Sequence, residues 1–361
     1  MTIRENDEPL SLAAYAILNE PGDQARNYHD ALELFAQAER LGVEGLWVRQ
    51  FHLRRPEHGS QSALPGGLPS PFVFLGWLAA RTSRLRLGTA AVTLPLESPL
   101  RLAEDAAVLD ALSGGRVELG VGGGGTAPGL AELFRGSATA MDRAPGGGID
   151  AASRRAAYRA SLTRLADALD GVGLSAAGDQ LNPPSPGLTG RIWEAALSEQ
   201  SGYDTGARGN GVLIGTTQTV PAEVTARSYY RGLNRYAAEF GARPPRVGIA
   251  TLIYPANDQQ TALREAREGI EEKYEWGSRF LSPASTLAEK AAAIGLHYGA
   301  PEQITESILA QPWFPYATQL MVQTDPFCQS HAHRAEALEL FVRTVAPALG
   351  WVDASRVLPL G

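Results

Sequence analysis

Three observations predict a single α/β domain of the (β/α)8 TIM barrel class spanning residues 1–361. Short apolar strand patterns alternate with longer amphipathic helical patterns almost throughout, eight such strands occur in order, and no linker or low-complexity tract divides the chain. Three segments break the alternation, and two of them directly follow strand C-termini, the end of a barrel where enzymes keep their sites.

The strands are read at SLAAYAIL (11–18), GLWVRQ (45–50), LRLGTAAVTL (85–94), RVELGVG (116–122), RIWEAAL (191–197), GVLIGT (211–216), RVGIATLIYP (246–255) and ATQLMVQ (317–323). After the first strand, Ala31, Leu34, Phe35, Ala38 and Leu41 recur at helical spacing and Gly42 supplies a stop. The irregular segments are RRPEHGSQSALPGGLPSP (54–71), TAPGLAELFRGSATAMDRAPGGGID (126–150) and GSRFLSPASTLAEKAAAIGLHYGAPEQ (277–303). The first two are rich in glycine and proline and read as insertion loops at the C-terminal face, suited to moving over a pocket.

Composition bounds the function. A formal net charge of -7 argues against nucleic acid as a partner, because phosphate neutralisation needs a basic face. The N-terminal MTIRENDEPL lacks an apolar export core and no run of about 18 apolar residues occurs, so a cytoplasmic protein that does not enter a membrane is expected. Cys328 is the single cysteine, which excludes an internal disulfide. The cluster CQSHAH (328–333) offers three metal-ligand side chains, but its spacing reads more simply as a strand exit followed by a helix capped by Ser330, and no metal site is expected.

Two features raise a chemical question. A literal GxGxxG falls at Gly120, Gly122 and Gly125, yet Ala127, Pro128 and Gly129 stand where a dinucleotide fingerprint needs an immediate helix. These glycines read instead as a strand end where a flat ligand approaches the backbone. The strand RLGTAAVTLP carries two alanines, Ala90 and Ala91, where valine or isoleucine would pack better, as though space were needed. Farther on, LSEQSGYD places Ser198, Glu199, Gln200, Ser201 and Gly202 at the start of a short helix, where hydroxyls and free N–H groups could meet a phosphate or simply cap the helix.

Taken together, GLWVRQFH, the run from Arg81 to Gly123, LSEQSGYDTGARGNG and YGAPEQITESI resemble the bacterial luciferase-like flavin monooxygenase family, in order and over nearly the whole chain. The resemblance implies a homodimeric enzyme. It takes FMN as FMNH2 from a separate flavin reductase, forms a C4a-(hydro)peroxyflavin with O2 and oxygenates a small organic substrate. It further implies a non-prolyl cis peptide at Ala90–Ala91 against which the flavin ring rests, with Gly122 and Gly123 beside it and the SEQSG loop at the phosphate.

Two positions depart from the family pattern. An arginine that pairs with the flavin phosphate in many members is matched here by Gly123, and the family's Glu-His-His after the second strand is matched by Gln50, Phe51 and His52. Phe51 cannot exchange a proton, which leaves His52, with Gln50, as the candidate catalytic residues. Coenzyme F420 is the alternative cofactor, since the same barrel serves both, and a catalytically silent flavin-binding subunit is the alternative from outside enzymes.

Overall fold

The computed structural model describes residues 9–18, 23–52, 67–124, 151–216, 220–278, 280–328 and 330–353, and every strand expected from the sequence forms. They are Ser11–Ala16 (β1), Gly45–Val48 (β2), Arg86–Thr89 (β3) continued by Val92–Thr93 (β4), Val117–Gly122 (β5), Ile192–Ala195 (β6), Gly211–Ile214 (β7) and Val247–Pro255 (β8); after an additional strand, Leu296–Gly299 (β9), comes Gln319–Gln323 (β10). All pairings are parallel, and Gln319 of β10 aligns with Ser11 of β1 on one side and Gly248 of β8 on the other, which closes the barrel. Closure leaves the wall without the unpaired edges that an open sheet exposes.

Helices cover the outside. Gln24–Arg40 (α1) starts at Asp23, whose carboxylate accepts from Ala25 N at 3.0 Å, and it buries Ala31, Leu32, Leu34, Phe35 and Ala38. Gly42, with φ 88°, turns the chain back toward β2. Emptying the Phe35 site by substitution to alanine would cost about 3–5 kcal/mol on the scale of buried aromatic truncations. Pro71–Ala79 (α2), Pro99–Ser113 (α3), Ala151–Leu169 (α4), Glu199–Ala207 (α5) and Ala222–Phe240 (α6) continue the ring.

The segment 277–303 is not an irregular insertion. Following Gln259–Glu265 (α7) and Arg267–Gly277 (α8), it forms Leu287–Ala293 (α9), then β9, then the start of Pro301–Leu309 (α10). Thr286 and Glu289 make a reciprocal capping box at the start of α9. Strand β8, nine residues long, outreaches its barrel neighbours, and β9 pairs with that outer half from Leu252↔Leu296 to Pro255↔Gly299. Of the other two insertions, 126–150 lies outside the described residues, and so does 54–66 of the first.

Helix His331–Leu340 (α11), continued by a π turn at Phe341–Val345 and a last helical turn at Ala346–Ala348, begins at Ser330, whose hydroxyl accepts from His333 N at 3.2 Å, the cap expected from the sequence. No helix among the described residues is long and apolar enough to cross a membrane.

Inside the barrel, Ala13, Trp47, Trp193, Leu213, Ala250 and Met321 pack together, with Tyr15 and Ala90 against them. The two indoles meet edge to face at 5.2 Å. Their N–H groups donate to Gln319 Oε1 and Glu118 Oε2, both at 2.6 Å, so each buried donor is satisfied.

Candidate active site

The third barrel strand breaks at Thr89. Its hydroxyl donates to Gly120 O at 2.7 Å and accepts from Gly120 N at 2.9 Å, substituting for ladder bonds between β3 and β5. From Gly88↔Glu118 to Val92↔Val121, four steps along one strand face three along the other, which is a bulge. Within it the Ala90–Ala91 peptide is cis, as the resemblance implies. Tyr15 reaches across the barrel interior, and its hydroxyl donates to Ala90 O at 3.4 Å.

The bulge opens onto a floor of small residues. A Cβ at Gly122 would stand 3.2 Å from the Ala195 Cβ and 3.5 Å from the Ala91 Cβ, so Ala91, Gly122 and Ala195 lie side by side across β4, β5 and β6. Ala195 is exposed at the barrel mouth and Ala91 is half-buried, so the floor faces outward. Any larger side chain would fill this flat cradle, and the planar ring of a flavin or deazaflavin fits it. Gly123, next along, is exposed, and its Cβ would meet no heavy atom within 4 Å.

The SEQSG loop adjoins the cradle, since Ser198 follows Ala195 by three residues. Here the two serines cap α5 reciprocally: Ser201 N donates to Ser198 Oγ at 3.2 Å, and Ser198 N and Leu197 N donate to Ser201 Oγ at 3.0 and 3.1 Å. Glu199 pairs with Arg231, and Gln200 donates to Asp204 at 2.8 Å. Gly202 faces the neighbouring helix, where a Cβ would stand 2.5 Å from Thr225 O, so this glycine serves helix packing. Serine capping and the first-turn N–H groups of α5 together leave a terminus able to receive an anion.

Gln50 and His52 gather around Glu97. Gln50 is buried; its amide donates to Glu97 Oε1 at 2.7 Å and to Pro69 O at 3.3 Å, and its oxygen accepts from Thr93 N at 2.8 Å. It thus ties the chain leaving β2 to β4. His52 Nε2 lies 4.0 Å from Glu97 Oε1; burial holds the imidazole below its ordinary pKa, and the Glu97 charge opposes that.

Sequence reasoning passed over a second group at the mouth. Arg49, at the end of β2, sets its guanidinium 4.4 Å from the Phe51 ring centroid and 5.4 Å from that of Trp276. Lys273 approaches the same Trp276 ring at 5.4 Å. Asp325, after β10, accepts from Ile17 N at 2.9 Å through Oδ2. Burial raises the Tyr15 hydroxyl pKa and Arg49 opposes it, through its charge and a hydrogen bond. Only Arg49 carried a signal in the sequence, by adjoining Gln50, Phe51 and His52.

Residues 11–320 match the family model described as luciferase-like monooxygenase. Among curated proteins, 4-hydroxyprotoasukamycin monooxygenase of Streptomyces nodosus subsp. asukaensis is 43% identical over 93 residues, 26% of this chain and 23% of that protein. The oxygenase component of a flavin-dependent trigonelline monooxygenase from Acinetobacter baylyi is 32% identical over 101 residues, 28% of this chain and 26% of that protein. These matches span about a quarter of each relative's length.

Solved structures agree on the fold. The oxygenating constituent of 3,6-diketocamphane monooxygenase from Pseudomonas putida, in complex with FMN, superposes with a TM-score of 0.70 at 18% identity, covering 94% of this chain and 98% of that one. A coenzyme F420-dependent tetrahydromethanopterin reductase from Methanopyrus kandleri gives 0.66 at 18% identity, covering 94% and 99%.

Proposed function

Because the chain belongs to the luciferase-like monooxygenase family, we propose that it is the oxygenase component of a two-component system, using FMNH2 from a separate flavin reductase and O2 to oxygenate a small organic substrate. The observation that carries this reading is the small-residue floor of half-buried Ala91, buried Gly122 and exposed Ala195 beside the capped terminus at Ser198. A planar ring and a phosphate tail need that pairing of surfaces. The trigonelline relative, named as an oxygenase component, supports external reduction.

When bound, reduced flavin supplies the electrons that activate O2 for transfer of one oxygen atom to the substrate. The chain's own residues position and shield. Ala91, Gly122 and Ala195 would bear the ring, and the first-turn N–H groups of α5 behind the Ser198–Ser201 cap would hold the phosphate. Phe51 keeps water from the reacting face, and His52, neutral at pH 7 through burial, offers a site for proton exchange at its imidazole nitrogen. Gln50 acts as a positioning residue through Thr93 and Glu97.

The second reading is an F420-dependent oxidoreductase. It is favoured by an F420-dependent glucose-6-phosphate dehydrogenase from Kineococcus radiotolerans, 38% identical over 89 residues, 24% of this chain and 25% of that protein. Titration of the purified protein with FMN, FMNH2 and F420 separates the two. Preference for FMNH2, with reductase-dependent O2 consumption, is the expected result; selective binding of F420 would replace the monooxygenase reading.

A further inference from the structure

We infer that Lys273 and Arg49 form a subsite for the carboxylate of an anionic substrate, on the side of the barrel mouth away from the phosphate loop. Assigning the occupant as substrate rests on the flavin reading of the cradle. The subsite itself stands on its own geometry.

Helix α8 is drawn onto the chain leaving β10. A Cβ at Gly269 would stand 2.8 Å from Pro326 O and 2.9 Å from the Phe327 Cα, so only a glycine allows this approach. Lys273 is one turn further along the same helix face, which delivers its ammonium beside Asp325. It is 3% exposed, and among the described residues it makes no hydrogen bond and no ion pair within 4.0 Å. The ammonium therefore has no protein counter-ion within contact, and an anion that joins it gains a charge-assisted hydrogen bond.

The charged groups facing Lys273 come from three elements. Arg49 comes from β2, Asp325 from the end of β10 and Glu272 from α8 itself. Asp325 is 2% exposed and already accepts from Ile17 N through Oδ2, while its Oδ1 has no hydrogen-bond partner among the described residues. Glu272 lies at the surface, where partial burial raises its carboxyl pKa and the neighbouring Lys273 charge opposes that. Two cations, buried Lys273 and half-buried Arg49, thus face one buried carboxylate, Asp325. Burial, reinforced by the Arg49 charge and opposed by Asp325 and Glu272, lowers the Lys273 pKa to about 8, so at pH 7 the ammonium remains mostly protonated.

The walls and position narrow the ligand further. Phe51 and Trp276 give flat apolar surfaces beside both cations, suited to an unsaturated or aromatic body attached to the carboxylate. Tyr15 links Arg49 to Ala90, so the subsite borders the bulge. It draws on β10, β1 and β2 at one side of the bulge, whereas the Ser198 loop follows β6 on the other. A flavin phosphate at Ser198 therefore leaves Lys273 and Arg49 to a second molecule.

The test is calorimetric titration of the flavin-free protein at pH 7 with benzoate and with its neutral isostere benzamide, repeated on Lys273→Met and Arg49→Gln, alongside FMN titrations. Benzoate should bind at least ~10-fold more tightly than benzamide, and each variant should lose ~10-fold or more for benzoate while keeping its FMN affinity. Should Lys273→Met fail to fold, Arg49→Gln carries the comparison alone. Equal binding of benzoate and benzamide, or variants that bind benzoate like the wild type, would overturn the subsite. Variants that lose FMN as severely as benzoate would assign these cations to the cofactor and overturn its occupant. If FMN binds none of the proteins while benzoate behaves as expected, the flavin reading fails and the anion subsite stands.

Discussion

Gln50 donates to Glu97 at 2.7 Å, and the same carboxylate oxygen lies 4.0 Å from His52, so one acidic group organises both residues at the exit of β2. Replacing Gln50 with leucine leaves the half-buried Thr93 N–H and the Glu97 oxygen short of a partner. We expect a loss of about 1–3 kcal/mol of stability, read by urea unfolding. A change in oxygenation rate without any change in stability would instead give Gln50 a direct part in the chemistry.

The floor gives a cleaner test of the flavin site. Ala195 is exposed, so Ala195→Leu should leave stability within ~0.5 kcal/mol. It should nevertheless weaken FMN by ~10-fold or more, because the new side chain occupies the cradle. Ala91→Val should act in the same direction. Unchanged FMN affinity in both variants, measured by flavin fluorescence, would move the ring elsewhere.

Gly123→Arg restores the cation that many family members place there. Its φ lies outside the left-handed region and its Cβ has open space, so the substitution should fold without strain. We expect tighter FMN binding, a gain that shrinks as salt rises, and an unchanged Tm for the apoprotein. An unchanged or weaker FMN affinity with an intact Tm would show that the phosphate is not within reach of this strand end.

His297 predicts an acid-sensitive window. It is buried, with Nδ1 2.8 Å from Ser307 Oγ, and burial lowers its pKa to about 4. The folded state therefore binds fewer protons than the unfolded state between pH 4 and the ordinary histidine value. Stability is fully present above about pH 6.5 and falls as pH drops toward 4, by about 3 kcal/mol. Urea unfolding across this range should show that slope in the wild type and lose it in His297→Gln.

The barrel was legible because its strands are runs of β-branched and apolar residues at regular intervals, and runs such as RVGIATLIYP announce burial on both faces. Strand β9 was not: LHYG is four residues long, contains a histidine and stands between helical patterns. The alanine pair and Gly122 showed that space was needed, but Ala195 is one small residue at a strand end, and only the parallel register sets it beside them. Lys273 was hidden for a different reason. In an amphipathic helix a lysine is ordinarily solvated, and its burial depends on Gly269 meeting Pro326, a contact between segments more than fifty residues apart.

Trp47 and Trp193 have a consequence for traffic. Their crossed indoles, tied down by Gln319 and Glu118, pack against Tyr15 and Ala90 and fill the barrel axis at that level among the described residues. On the proposed function, a filled axis makes cofactor, substrate and product share the mouth, so the ligand seated deeper arrives first and departs last.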